Sequence, residues 1–172
     1  MKTTKLKIRY YGDPCLRKKS SPVKEVGPAE RMLIASMVET MHLQKGIGLA
    51  APQVGVNQRI FVADIGEGPM AFINPRIIKK SGEAALEEGC LSIPGVNVEV
   101  TRPSKILVRF FDFKGKEQEQ VFEELLARVI LHETDHLDGK MIVDYADRVK
   151  KKEIKEQLEE IKNKNNKIPN DK

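Results

Sequence analysis

The sequence predicts a single-domain α+β protein. Three observations carry this: helical apolar periodicity near the start and in the last third, a block of short β-type runs between residues 59 and 122, and a length of 172 residues, enough for one sizeable core. A hydrophobic content of 40% with 32% charged residues suits a soluble globular chain. No apolar run approaches the ~20 residues of a membrane helix. The start, Met1-Lys2-Thr3-Thr4-Lys5, carries charge without a following apolar stretch, so no secretory signal or transit peptide is expected. Two cysteines, Cys15 and Cys90, do not make a disulfide framework, and a reducing cytoplasmic setting is expected.

Residues 5–27 read as irregular, with Gly12-Asp13-Pro14 and Ser20-Ser21-Pro22 as turn signals. A helix is predicted over 28–42. Pro28 suits its first turn, Leu33, Met37 and Met41 recur every four residues, and it ends before Gly46. The small, glycine-rich run Gly46-Ile47-Gly48-Leu49-Ala50-Ala51-Pro52-Gln53-Val54-Gly55 reads as a loop to which something approaches closely. Short strands are predicted at 59–64, 71–74 and 76–80, then a turn-rich segment over Glu87–Gly95. Antiparallel strands follow at 96–101, 105–111 and 118–122, with the turn Asp112–Gly115 before the last of them. A helix over 123–137 is apolar on most sides, as a helix buried in mid-domain is, and stops at Gly139. A third helix, 147–163, carries a stripe of Ile154, Leu158 and Ile161, and 162–172 is expected to fray.

The chemistry centres on His132-Glu133-Thr134-Asp135-His136. On a helix His132 and His136 lie one turn apart on one face, where two imidazoles can hold one divalent metal and Glu133 can address a water on it. Two of the three histidines are used here. A catalytic centre wants a third protein ligand. No histidine follows, so the alternatives are Glu156, Glu159 and Glu160 in the charged last helix, or Cys90 in its glycine-containing turn. Cys15, between Pro14 and Leu16, has no such context.

Gly46–Gln53, Glu88-Gly89-Cys90-Leu91-Ser92 and His132–His136 together resemble the three signature motifs of the peptide deformylases, in order and spacing, within a similarity spanning about residues 5–150. The resemblance implies antiparallel sheets packed around the metal-bearing helix, and a single catalytic domain over 1–172 with a basic helix and tail at 149–172. It implies Cys90, His132 and His136 as ligands of one ion, ferrous iron in the cell, with zinc, nickel or cobalt able to replace it. Glu133 would move the water's proton, and Gln53 and the Leu91 N–H would donate to the oxyanion. The substrate would be the N-formylmethionyl end of a new polypeptide, lying along Ile47, Gly48 and Gly89 as an added strand. Leu125 and Val129, seven and three residues before His132, and the stem of Arg128 would line the methionine pocket. Glu88 and Arg102 would form a buried pair bracing the Cys90 turn, with Asp135 orienting a neighbour. Leu131 departs from the glutamine many members carry there, and His42 stands where an aromatic is frequent.

The net charge of +5 is uneven. Residues 148–172 hold nine Lys/Arg against five Asp/Glu, a net of +4, leaving +1 for the body. An amphipathic helix with solvated lysines is the plainer reading; attraction to ribosomal RNA is the functional one. Neither a membrane nor DNA is an expected partner. Two rivals stand beside this reading: a metallopeptidase with Glu156 as third ligand, and a non-catalytic metal- or RNA-binding module.

Overall fold

A computed structural model describes residues 3–167; the first two residues of the charged start and residues 168–172 of the polar tail lie outside the described residues. The chain runs α1 (Pro28–Leu43), β1 (Gly48–Ala50), β2 (Ile60–Ala63), β3 (Met70–Ser81), β4 (Ala84–Cys90), β5 (Ile93–Arg102), β6 (Lys105–Phe111), β7 (Glu117–Glu123), α2 (Glu124–Leu137) and α3 (Arg148–Lys167). An antiparallel sheet of order β1-β2-β3-β6-β7 and a separate two-stranded sheet, β4-β5, make this the expected α+β architecture.

The larger sheet is covered on both faces near β2, and the pleat explains how. Successive side chains point to opposite faces, so Phe61 and Ala63 join Phe72, Phe110, Phe122, Ile130 and Leu137 against α2. Ile60 and Val62 join Met37, Met41 and Leu49 against α1. That is why Ile-Phe-Val-Ala is buried without alternation. Phe72 sits at the centre of the α2 side, its ring 4.7 Å from that of Phe61 and 4.5 Å from that of Phe110. A third cluster joins Val96, Val98 and Val100 of β5 to Leu16, Met141, Ile142 and Ile154, so α3 packs on the smaller sheet through the predicted stripe. Gly139 ends α2 at φ +73, with Arg17 backbone so close that a side chain would collide with it.

Four expectations change. The run predicted as two strands around Asn74-Pro75 is one strand, β3, which absorbs the interruption as a register shift between Ile73 and Arg76. Asn74 takes φ 51 there, and its amide clamps both backbone groups of Val23. The segment Glu87–Gly95 is a β-hairpin rather than a run of turns, with Leu91-Ser92 as its tip. The glycine loop contains β1 and a 3₁₀ turn, Ala51–Val54. The expected fraying from 162 does not occur up to 167: the helix continues, Ile161 packs on the third cluster, and the Asn165 amide donates to the Tyr10 carbonyl at 3.4 Å.

Residues 3–27, though mostly irregular, are held at fixed points. Arg9 N–H donates to the Gln53 carbonyl at 2.7 Å, Tyr11 N–H to that of Ser92 at 2.9 Å, and Ser20 N–H to that of Leu137 at 2.8 Å. Among the described residues no helix is long and apolar enough to cross a membrane.

Candidate metal centre and cleft

α2 places His132 and His136 on one face, and the tip of the β4-β5 hairpin presents Cys90 to them. The three ligand atoms lie within 4.8 Å of one another. His132 Nε2 and His136 Nε2 are 3.2 Å apart, and Cys90 Sγ is 3.4 Å from His136 Nε2. A tetrahedral ion with ordinary Zn–N and Zn–S lengths would have N···N and N···S edges of about 3.3 and 3.6 Å. The donor set therefore fits a divalent ion. His132 Nδ1 faces a Glu88 oxygen at 3.0 Å, which leaves Nε2 as the free lone pair. Glu156 is an exposed residue of α3 and does not belong to this cluster.

The two rings are shifted in opposite directions. Burial disfavours the His132 imidazolium, but hydrogen bonds to Cys90 and Glu88 and the nearby Glu133 charge outweigh it and hold its pKa well above the ordinary value. Burial pushes His136 well below, and the charges of His132 and Arg102 add to it.

Glu88 is the hub behind the ligands. Its carboxylate takes Arg102 Nε at 2.7 Å and Nη2 at 3.0 Å, Arg128 Nη1 at 2.7 Å, and the His132 contact. Burial raises its pKa, yet the hydrogen bonds and charges of His132 and Arg102 prevail and bring it to about 2. Arg102 also reaches Asp135 at 2.9 Å, so both proposed bracing carboxylates meet one guanidinium. Arg128 lines the cleft, but its guanidinium is engaged by Glu88, the Val100 carbonyl and the Ala84 carbonyl. Its part in bracing Glu88 was not foreseen; its position one turn before His132 was the available signal.

A cleft of about 480 Å³ opens on the centre. Gln53, Cys90, Leu91, His132 and Glu133 line its polar end. Ile47, Gly48, Gly89, Leu125 and Val129 also line it, so every sequence-predicted site residue except the buried His136 borders the same space. Gly46 of the glycine motif borders it too, as do Lys45 and Glu87, which sequence reasoning gave no role. Gln53 is 2% exposed; its Oε1 accepts the Ala50 N–H at 2.9 Å, and its Nε2 points at Ser92 Oγ at 3.1 Å and Cys90 Sγ at 3.5 Å. The amide is thus both a cap for nearby backbone and a donor at the metal end. Glu133 is buried, Oε2 has no hydrogen-bond partner, and burial raises its carboxyl to about 7 against the opposing charges of His132 and Arg102. A carboxyl titrating near neutrality beside a metal site can take and return a proton.

The sequence model of the polypeptide deformylase family matches residues 5–152. A peptide deformylase of Thermoanaerobacter pseudethanolicus is 47% identical over 154 residues, covering 90% of this chain and 97% of that one. The crystal structure of a peptide deformylase from Legionella pneumophila superposes with a TM-score of 0.88 at 38% identity, covering 96% of this chain and 100% of that one. That of the Ehrlichia chaffeensis peptide deformylase in complex with actinonin gives 0.88 at 37% identity, covering 94% and 98%.

Proposed function

Because the chain belongs to the polypeptide deformylase family, whose members remove the formyl group from the N-terminal formylmethionine of new polypeptides by metal-dependent hydrolysis, we propose that Cys90, His132 and His136 hold its ion and that the 480 Å³ cleft is its active site. The observation that carries this assignment is the meeting of three metal-type donors within 4.8 Å, two of their edges at 3.2 and 3.4 Å, with a buried, unpartnered Glu133 oxygen beside them.

An ion held by Cys90, His132 and His136 would supply Lewis acidity, polarising the formyl oxygen and acidifying the attacking water. Glu133 takes the proton of the attacking water and delivers it to the departing amine; a carboxyl near 7 is suited to both steps. As the formyl carbon becomes tetrahedral its oxygen gains charge. The Gln53 amide and the Leu91 N–H, at the hairpin tip, donate to it. Backbone at Ile47 and Gly48 on one side and Gly89 on the other offers the peptide the edges of β1 and β4. The methionine side chain is received by Leu125, Val129 and the stem of Arg128. Formate and a free N-terminus leave.

The ion in the cell is ferrous iron, with zinc, nickel or cobalt able to take its place, since thiolate and imidazole suit all of these. The setting is the cytoplasm, in keeping with two free cysteines. The basic helix meets ribosomal RNA through exposed Lys151, Lys152 and Lys155. Reversing those three charges should abolish salt-dependent binding to ribosomes; undiminished binding discards that contact.

Formate release from a formyl-Met peptide by anaerobically purified protein, with metal content measured on the same sample, tests the whole. Cys90→Ser should lose metal and activity together, while Glu156→Gln should change neither. The reverse result would favour a metallopeptidase-type ligand set.

A further inference from the structure

We propose that Tyr145 is a positioning residue for His132, acting through Asp135, Arg102 and Glu88; the inference rests on the ligand set proposed above. Tyr145 closes the 3₁₀ turn Ile142–Tyr145 and stands outside the cleft lining, so it touches neither substrate nor ion. Its hydroxyl donates to Asp135 Oδ2 at 2.8 Å, and the same oxygen accepts from Arg102 Nη1 at 2.9 Å. The tyrosine ring also lies under the Arg102 guanidinium, 5.1 Å from Cζ to ring centroid.

Arginine donors form a rigid planar fork. Fixing the plane from one side therefore fixes what the other side grips. Here the ring restrains the guanidinium face and the hydroxyl pins the carboxylate at its edge. The opposite edge of the fork chelates Glu88 at 2.7 and 3.0 Å. Glu88 Oε2 in turn meets His132 Nδ1 at 3.0 Å and sets the tilt of that ring. Four successive contacts, all of 3.0 Å or less, thus lead from a surface tyrosine to a metal ligand. Arg128 holds Glu88 independently at 2.7 Å, and Tyr145 is 42% exposed, so its effect is graded rather than total.

Loss of a group directly behind a metal ligand typically costs about 10–100-fold in affinity. Tyr145 is more remote, so a smaller effect is expected. Protein loaded with Co2+ is mixed with excess EDTA, and release is followed by loss of the visible absorption of the bound ion. Tyr145→Phe, which keeps the ring, should release Co2+ about threefold faster, and Tyr145→Ala, which loses ring and hydroxyl, about tenfold faster. The KM for a formyl-Met peptide should not change in either. Ile154→Ala, which removes core packing between α3 and β5 without touching the network, is the control. It should lower the Tm and release Co2+ at the wild-type rate. The proposal is overturned if both Tyr145 variants release at the wild-type rate, or if all three variants release faster in proportion to lost Tm. Cys90→Ser separates the two levels. If it retains Co2+ like wild type, the ligand set itself is wrong; if it loses Co2+ while the Tyr145 variants behave as wild type, Tyr145 alone is dismissed.

Discussion

Replacing Gly48 by alanine should cripple catalysis while sparing the metal, and the structure fixes why. Gly48 opens β1, directly over α2. A methyl group there would collide with a Glu133 carboxylate oxygen, and would stand 2.9 Å from Glu133 Cδ and 2.9 Å from Val129 Cγ1. Carbon atoms pack at about 3.5–4.0 Å, so the carboxylate must retreat by ~0.6 Å or more. Misplacing a catalytic group by ~1 Å costs on the order of 10²-fold. We therefore expect kcat for formate release to fall about 100-fold with metal content unchanged. The backbone angle of Gly48 is not left-handed, so the loss would come from the methyl itself and not from strain. A double-mutant cycle isolates the collision. Glu133→Asp withdraws the carboxylate by one methylene, so Gly48→Ala should cost at least tenfold less in that background than in wild type. A Gly48→Ala enzyme within threefold of the wild-type kcat, or costs that simply multiply, would refute the placement of Glu133 against β1.

Glu133→Ala should keep its metal and lose about 10²–10⁴-fold in formate release, and substantial turnover would remove Glu133 from its proton-transfer role. Arg102→Met leaves Glu88 buried with one arginine and should cost about 3 kcal/mol in urea unfolding; a loss below about 1 kcal/mol would mean Arg128 suffices. Asp144 accepts two bonds from Arg17, at 2.6 and 3.0 Å, and the Met141 N–H at 2.9 Å. Burial raises its pKa, but these donors lower it overall below 3.8. A depressed carboxyl stabilises the fold above its unfolded pKa and loses that contribution as pH falls. The wild-type advantage over Asp144→Asn in urea midpoint should be full at pH 7 and shrink as pH drops below 3.8, and an advantage independent of pH would argue against the pairing.

The candidate metal donors were the most legible part of the chain because helical spacing alone puts His132 and His136 together. Cys90 was harder. Its strand reads as turns because its polarity is inverted: Leu86 is 54% exposed while Glu88, on the same face of β4, is 7% exposed. The inner face of β4 is built to meet arginines, and no hydrophobic alternation marks such a strand. The bulge between Glu88 and Cys90 breaks the remaining period. β3 was split in two by Asn74-Pro75, a pair that signals a turn locally. Its tolerance depends on Val23, 51 residues earlier, which accepts and donates the clamp. The extension of α3 to Lys167 likewise rests on contacts with Tyr10 and the third core cluster that helix propensity does not record.

The irregular N-terminal strap has a temporal meaning. Three of its backbone anchors are the carbonyls of Gln53, Ser92 and Leu137, one in or beside each segment that builds the centre. The last of these anchors exists only after α2 has been made. Ser20 must therefore wait for a partner 117 residues further along the chain, whereas Arg9 and Tyr11 find theirs 44 and 81 residues on. Such long-range closure slows folding. It also ties the seating of the strap to the arrival of α2, the helix that carries His132 and His136.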